Sequence, residues 1–137
     1  MIKQTIYIDK IGWLVHAYFH KTRYDVDEIM ERLWDLGCDG DTARKAFDNL
    51  MNDSLNMGLC YSNYRHRESV LVVGKASSAA EFFNSIVHEI THLQSHMCEV
   101  MHLDPKGEEI AYYMGDLSRE IYPNISHLLC DCCREEY

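Results

Sequence analysis

One stretch of the sequence, residues 82–93, constrains the chain most because it combines a helical pattern with a His-Glu-x-x-His motif. Apolar residues recur along it at helical spacing, which predicts a helix with one buried face. His88 and His92 are four residues apart, so they would lie one turn apart on the same side of that helix. Two imidazoles in this arrangement can bind one zinc ion. Glu89 is placed to take a proton from a zinc-bound water, so we predict Glu89 as the catalytic residue and His88 and His92 as metal ligands.

The start and length of this helix are also predicted by the sequence. Ser77 or Ser78 can cap its first turn, and Glu81 follows Ser78 by three residues, which is the capping-box pattern. The apolar pattern persists to Met101, so we predict a zinc helix over about residues 78–101. A surface helix with two exposed histidines is the competing interpretation, and the apolar residues around the motif favour the packed helix.

A catalytic zinc site usually has three protein ligands, so the motif must be completed from elsewhere in the chain. Pro105 and Gly107 predict a turn after the zinc helix. A second helix, the ligand helix, is predicted over about residues 108–121. Glu108 is our predicted third ligand, because the first turn of a helix orients a carboxylate through its backbone N–H groups. Spacing alone does not separate Glu108 from Glu109, which remains an alternative.

Helix geometry sets a condition on this third ligand. If the zinc helix runs straight to residue 101, its end lies about 14 Å beyond His92 at roughly 1.5 Å per residue. A simple antiparallel return would then bring Asp116, rather than Glu108, level with the zinc. Glu108 reaches the ion only if the first helix ends earlier or the second crosses it obliquely. The weaker candidates for the third position are His96, Cys98 and His102.

The rest of the chain predicts one α+β domain over residues 1–137, with a small mixed or antiparallel sheet. Residues 2–8 alternate apolar and polar side chains as a strand does, and residues 11–20 are ambiguous between strand and helix. A helical hairpin over about 25–52 is expected to cover the sheet, with partner binding as the weaker alternative. Two strands within 57–73 form a predicted β-hairpin, and Pro123 is expected to end the last helix.

Charge and composition restrict the partners. The net charge is −9, which disfavours sequence-independent binding to nucleic acid or to an anionic membrane surface. No apolar run approaches the roughly 20 residues of a membrane span. The N-terminal residues lack the apolar core and cleavage site of a signal peptide. We therefore expect a cytoplasmic protein whose partner is a peptide or protein substrate.

Six cysteines are present without a clear disulfide framework, and in a cytoplasmic chain thiols are favoured over bridges. Three of them, Cys130, Cys132 and Cys133, cluster near the C-terminus. No second cysteine pair completes a standard four-thiolate zinc site with them. We expect a reduced, partly exposed tail, and a separate structural metal is the alternative.

Residues 88–92, followed by a segment of the Glu-x-x-Ala-Tyr type at 108–112, resemble the gluzincin branch of the zincin metallopeptidases. The likeness is to small zincin-like proteins of bacterial and phage genomes in particular. The resemblance implies a zincin-like fold, a Zn²⁺ cofactor and Glu108 as the third ligand. It also implies a free strand edge, for which Val70–Val73 is the candidate, that holds an extended peptide. The expected function is a zinc-dependent hydrolase acting on peptides. The alternative is a non-catalytic zinc-binding or protein-interaction domain of zincin-like fold, encoded by a phage or mobile element.

Overall fold

The computed structural model describes residues 1–135, which form a four-stranded sheet with helices on both faces. The strands are β1 (Ile2–Ile8), β2 (Trp13–Lys21), β3 (Gly58–Asn63) and β4 (Glu68–Gly74). The helices are α1 (Val26–Asp35), α2 (Gly40–Met51), α3 (Ala79–Met101), α4 (Glu108–Ile125) and α5 (Asp131–Arg134). Short 3-10 turns occupy Arg23–Asp25 and Ser126–Leu129. Over this part of the chain, no helix combines the length and apolar character needed to cross a lipid bilayer.

The four strands form one mixed sheet in the order β1-β2-β4-β3. β1 pairs antiparallel with β2, β3 pairs antiparallel with β4, and the two hairpins join through parallel pairing of β2 with β4. The predicted strand over residues 2–8 is confirmed, and most of the ambiguous segment 11–20 is strand β2. Buried residues follow one another along β2 because helices cover both faces of the sheet there. Its sequence therefore lacks the alternation of a half-exposed strand.

Helices on the two faces of the sheet bury two separate hydrophobic cores. On one face α3 and α4 cover side chains that include Trp13 and Leu71. On the other face α1 and α2 pack over Val70 and Val72. The prediction that the helical hairpin of residues 25–52 covers a sheet is therefore confirmed, as is the α+β class.

α3 is an unbroken helix of 23 residues, and it begins where the sequence predicts. The side-chain oxygen of Ser78 accepts the backbone N–H of Glu81 at 3.1 Å, which caps the first turn. The helix ends at Met101, and His102 follows in a left-handed conformation with a φ of 54°. An early end of this helix was one of two conditions under which Glu108 could reach the zinc, and that condition is not met.

α4 returns from the end of α3 and lies over the β1 side of the sheet, whereas α3 lies over β3 and β4. The side chain of Gln4 in β1 donates to the backbone carbonyl of Glu120 at 3.0 Å. The prediction that Pro123 ends this helix is wrong, because α4 continues past it. Pro123 has no N–H to offer the carbonyl of Arg119, and the helix gives way to 3-10 geometry within the next turn.

The order of the strands decides which of them has an open edge. β4 has β2 on one side and β3 on the other, so its backbone is paired in both directions. The expectation that Val70–Val73 offers a free edge to a peptide is therefore wrong. The cause is the parallel pairing with β2, a contact between strands that are distant in sequence. β3 is the edge strand at this end of the sheet.

Candidate active site

His88 and His92, here called the histidine pair, point to the same side of α3. Their Nε2 atoms are 3.2 Å apart, and both side chains are exposed. Two ligands of a tetrahedral zinc ion, each at about 2.0–2.1 Å, lie roughly 3.3–3.4 Å from one another. The spacing of the pair therefore fits a shared zinc ion with little adjustment. Without an ion, one neutral ring can donate its N–H to the other across the same distance.

Glu89 lies between the histidine pair and the sheet. Its side chain is buried, and its Oε1 atom is 3.9 Å from Nε2 of His88. Burial raises the pKa of the Glu89 carboxyl, and the neighbouring His88 opposes part of this rise. A carboxylate whose pKa is moved toward neutrality can both accept and return a proton during a reaction. The placement of Glu89 is thus the one that a general base needs.

Gly58 in β3 makes room for the Glu89 side chain. A Cβ atom on this residue would lie 2.8 Å from Glu89 Oε1 and 2.9 Å from the carbonyl oxygen of Val72. Neither distance is compatible with a side chain, so glycine permits the close approach of helix and strand. A cleft of about 260 Å³ opens beside this contact, with His88 and Asn84 on its helical wall.

The backbone of an antiparallel edge strand directs alternate peptide groups toward its neighbour and toward solvent. The N–H of Gly74 donates to the carbonyl of Met57 at 2.8 Å, so Met57 faces β4. Alternation then directs the peptide groups of Gly58, Cys60 and Ser62 to the open edge. The Gly58 carbonyl accepts a bond at 3.1 Å from an asparagine amide of α2, which agrees with this direction.

The open edge runs beside the flank of α3 that carries the histidine pair. Glu89 lies under Gly58, and the hydroxyl of Ser62 is 2.7 Å from Nδ1 of His96. Cys60 and Ser62 therefore present backbone N–H and C=O groups on the same open edge as Gly58, which lines the cleft with Glu89. An arrangement of this kind can bind an extended peptide as an additional strand.

His96 belongs to a hydrogen-bonded chain that fixes α3 on the sheet. Its Nδ1 atom contacts the hydroxyl of Ser62 at 2.7 Å, Ser62 contacts Ser69 at 2.7 Å, and the indole of Trp13 donates to Ser69 at 2.8 Å. Burial and the nearby His92 lower the pKa of the His96 imidazole. His96 therefore helps to hold α3, the helix that carries the site, against the sheet. Nothing in the sequence pattern singled out the two serines or the tryptophan.

The structure does not bring Glu108 to the histidine pair. Ile90 is two residues from each histidine, which is about 200° around the helix. Ile90 lines the groove between α3 and α4, together with Ile121 of α4. α4 therefore packs against the flank of α3 that faces away from the pair, and Glu108 opens that helix.

Two further carboxylates of α4, the alternatives to Glu108, have partners elsewhere. Glu109 accepts a hydrogen bond from the hydroxyl of Tyr113 at 2.9 Å, and Asp116 forms an ion pair with Arg119 at 2.9 Å. Within residues 1–135, no third histidine, cysteine, aspartate or glutamate has a ligand atom within 4.8 Å of both Nε2 atoms of the pair. The structure thus assembles two of the predicted ligands and the predicted base, and leaves the third ligand position open.

Loss of a residue that hydrogen-bonds a metal ligand typically lowers metal affinity about 10–100-fold. We expect Glu108→Ala to lower the affinity for zinc by less than this. The reason is that α4 lies across α3 from the histidine pair. Zinc affinity measured by competition with a chromogenic chelator checks this, with His88→Ala as the variant that removes a ligand. A loss with Glu108→Ala equal to that with His88→Ala would mean that α4 moves when zinc binds.

A second group of metal-ligating side chains lies near the C-terminus. The Sγ atoms of Cys130, Cys132 and Cys133 all lie within 4.8 Å of one another, close enough to hold one metal ion. Cys130 and Cys132 are 3.2 Å apart, and this contact lowers the pKa of the Cys130 thiol to about 7. The expectation of a reduced, partly exposed tail is confirmed for these three cysteines, of which Cys132 and Cys133 are exposed. All six cysteines are free thiols, including Cys38, Cys60 and Cys98.

No protein-family model, no curated protein and no solved structure matched the chain. The residues and their geometry are therefore the only indication of a function.

Proposed function

We propose that this protein is a zinc-dependent hydrolase of zincin-like fold that cleaves peptide bonds, with Glu89 as the general base. The observation that carries the proposal is the 3.2 Å separation of the two Nε2 atoms of the histidine pair beside the buried Glu89. Two imidazoles at ligand spacing with an adjacent carboxylate form the minimal set for metal-assisted hydrolysis. If the two histidines were surface residues without a shared function, nothing would require a buried glutamate beside them.

The metal and the protein would contribute different parts of the chemistry, a Lewis acid and a proton acceptor. A bound zinc ion would supply a Lewis acid that polarises the substrate carbonyl and acidifies water. Glu89 accepts the proton of the attacking water and then returns it to the leaving amine. Because Glu89 is buried beside Gly58, its side chain is confined between α3 and β3 and largely shielded from bulk solvent. Both features favour proton transfer in a fixed direction.

The open edge of β3 is the part of the site that binds substrate. An extended peptide adds to this edge through the backbone groups of Cys60 and Ser62, which follow Gly58 along the open edge of β3. Main-chain hydrogen bonds of this kind give affinity without requiring one particular side chain. We therefore expect unstructured peptides to be better substrates than folded proteins.

A pool of unstructured peptides tests the proposal directly. We expect zinc-loaded protein to cleave some members of the pool, a chelator to stop the cleavage, and added zinc to restore it. Mass spectrometry of the products identifies the bond that is cut. The variant His88→Ala removes one predicted ligand. Its matched control is His66→Ala, since His66 is an exposed histidine in the β3–β4 turn. Zinc bound at the histidine pair without any cleavage would contradict the hydrolase and favour a non-catalytic zinc protein.

A further inference from the structure

We propose that Cys130, Cys132 and Cys133, here called the thiol cluster, form a second metal site that binds a thiophilic d¹⁰ cation, Zn²⁺ or Cu⁺, through three thiolates. This site is separate from the histidine pair and does not depend on the proposed hydrolase activity. Three thiols from four consecutive residues converge there on one point.

The geometry of the thiol cluster is close to that of a metal-bound one. Thiolates at about 2.3 Å from zinc are separated by roughly 3.8–4.0 Å in tetrahedral or trigonal coordination. The Sγ atoms of Cys130 and Cys132 are 3.2 Å apart, and all three sulfurs lie within 4.8 Å of one another. Side-chain rotations that move sulfur by less than an ångström complete the shell. Cys132 and Cys133 are exposed, so these rotations meet little resistance.

The ligand type decides which ions the cluster binds. Soft thiolate ligands select Cu⁺ and Zn²⁺ over Mg²⁺ and Ca²⁺, which prefer oxygen. Zn²⁺ would complete a tetrahedral shell with a fourth ligand such as water, whereas Cu⁺ is satisfied by three thiolates. Binding of either ion displaces protons from the thiols, because the thiolate is the ligand.

The backbone that carries the thiol cluster is already held in place by other contacts. Asp131 Oδ1 accepts the backbone N–H of Ala79 at 2.8 Å, at the first residue of α3. The guanidinium of Arg134 donates to the carbonyls of Ala76 and Ser77 at 3.0 and 2.7 Å. Asp131 and Arg134 lie on either side of Cys132 and Cys133, pair with each other at 3.3 Å, and direct polar groups to the start of α3 and to the loop before it. The segment that carries the thiols is therefore held by Asp131 and Arg134, and the thiols themselves contact one another.

The position of the cluster keeps it apart from the candidate active site. Asp131 contacts the start of α3, and His88 lies nine residues further along that helix. Nine residues correspond to about 14 Å of helix. One ion cannot bridge the two sites, so each can be removed without removing the ligands of the other. A filled thiol cluster would fix the conformation of residues 130–133, and Asp131 already joins this segment to the start of α3.

Cobalt titration of the reduced, full-length protein tests this proposal, because Co²⁺ bound by thiolate gives an intense near-ultraviolet charge-transfer band. We expect this band in the wild type and in the double variant His88→Ala/His92→Ala. We expect the triple variant Cys130→Ser/Cys132→Ser/Cys133→Ser to lose the band and one equivalent of bound metal. Cys38→Ala is the cysteine control, since Cys38 is buried under α1 and α2 and away from the cluster.

Competition with chromogenic chelators for Zn²⁺ and for Cu⁺ then identifies the ion that the cluster holds more tightly. The single variant Cys132→Ser provides the same comparison if the triple variant does not fold, and we expect its affinity to fall at least about tenfold. The proposal is overturned if the wild type shows no thiolate band although a thiol assay finds all six cysteines reduced. It is equally overturned if the band persists in the triple variant. Loss of the band in the histidine variant would contradict the separation of the two sites.

Discussion

Replacing Glu89 by glutamine is expected to lower kcat for peptide cleavage by about 10²–10⁴-fold while leaving the zinc content unchanged. Glutamine has nearly the same shape as glutamate but cannot accept the proton of the attacking water. Glu89 is not one of the predicted metal ligands, so the affinity for zinc is expected to stay within a small factor. Initial rates on the best peptide substrate, measured beside metal analysis of the same samples, check both parts of this expectation.

Stability provides an independent check on the same variant. Burial raises the pKa of Glu89 above its value in the unfolded chain, so its charged form is less favourable in the folded protein at neutral pH. The uncharged amide removes this cost, and we expect the Tm of Glu89→Gln to be no lower than that of the wild type. Glu81→Gln, on the same helix but outside the groove, is the matched control. Hydrolysis retained by Glu89→Gln with zinc bound would remove Glu89 as the general base.

Features that depend on local sequence were predicted best. The cap at Ser78, the helical spacing of apolar residues and the four-residue spacing of the histidine pair all act within α3 itself. These local signals place the Nε2 atoms of the pair together whatever the rest of the chain does. The same applies to the β3–β4 hairpin, whose polar turn separates two β-rich segments.

Features that depend on contacts between distant segments were predicted poorly. β2 and β4 are separated by two helices and a strand, yet they pair in parallel at the centre of the sheet. That pairing moves Val70–Val73 into the interior and leaves β3 at the edge. A run of apolar residues such as this one indicates a strand but carries no information about its neighbours.

The third ligand illustrates the same limit. Glu108 begins a helix that closely follows α3 in sequence, but the side of α3 on which it packs is decided by β1, which lies at the far end of the sheet from β3. Because α4 covers β1, it meets the Ile90 flank of α3 rather than the histidine flank. The sequence contains no local signal that distinguishes these two sides.

Replacing Gly58 by alanine is expected to damage the site and the fold together. The added methyl group would lie 2.8 Å from the Oε1 atom of Glu89 and 2.9 Å from the carbonyl oxygen of Val72. The carbonyl belongs to a central strand and cannot move away. The helix or the edge strand must therefore shift, which costs about 1–3 kcal/mol of unfolding free energy. A displacement of roughly 1 Å at Glu89 lowers kcat by up to about 10²-fold.

Gly115→Ala is the matched control, because a Cβ atom at Gly115 in α4 meets nothing within 4 Å. Alanine is favoured over glycine inside a helix, so this variant is expected to gain about 0.5–1 kcal/mol with unchanged activity. Urea unfolding and peptide cleavage, measured on both variants, separate the effect of a methyl group from the effect of its position. Wild-type rates in Gly58→Ala would mean that the contact between Gly58 and Glu89 does not position the base.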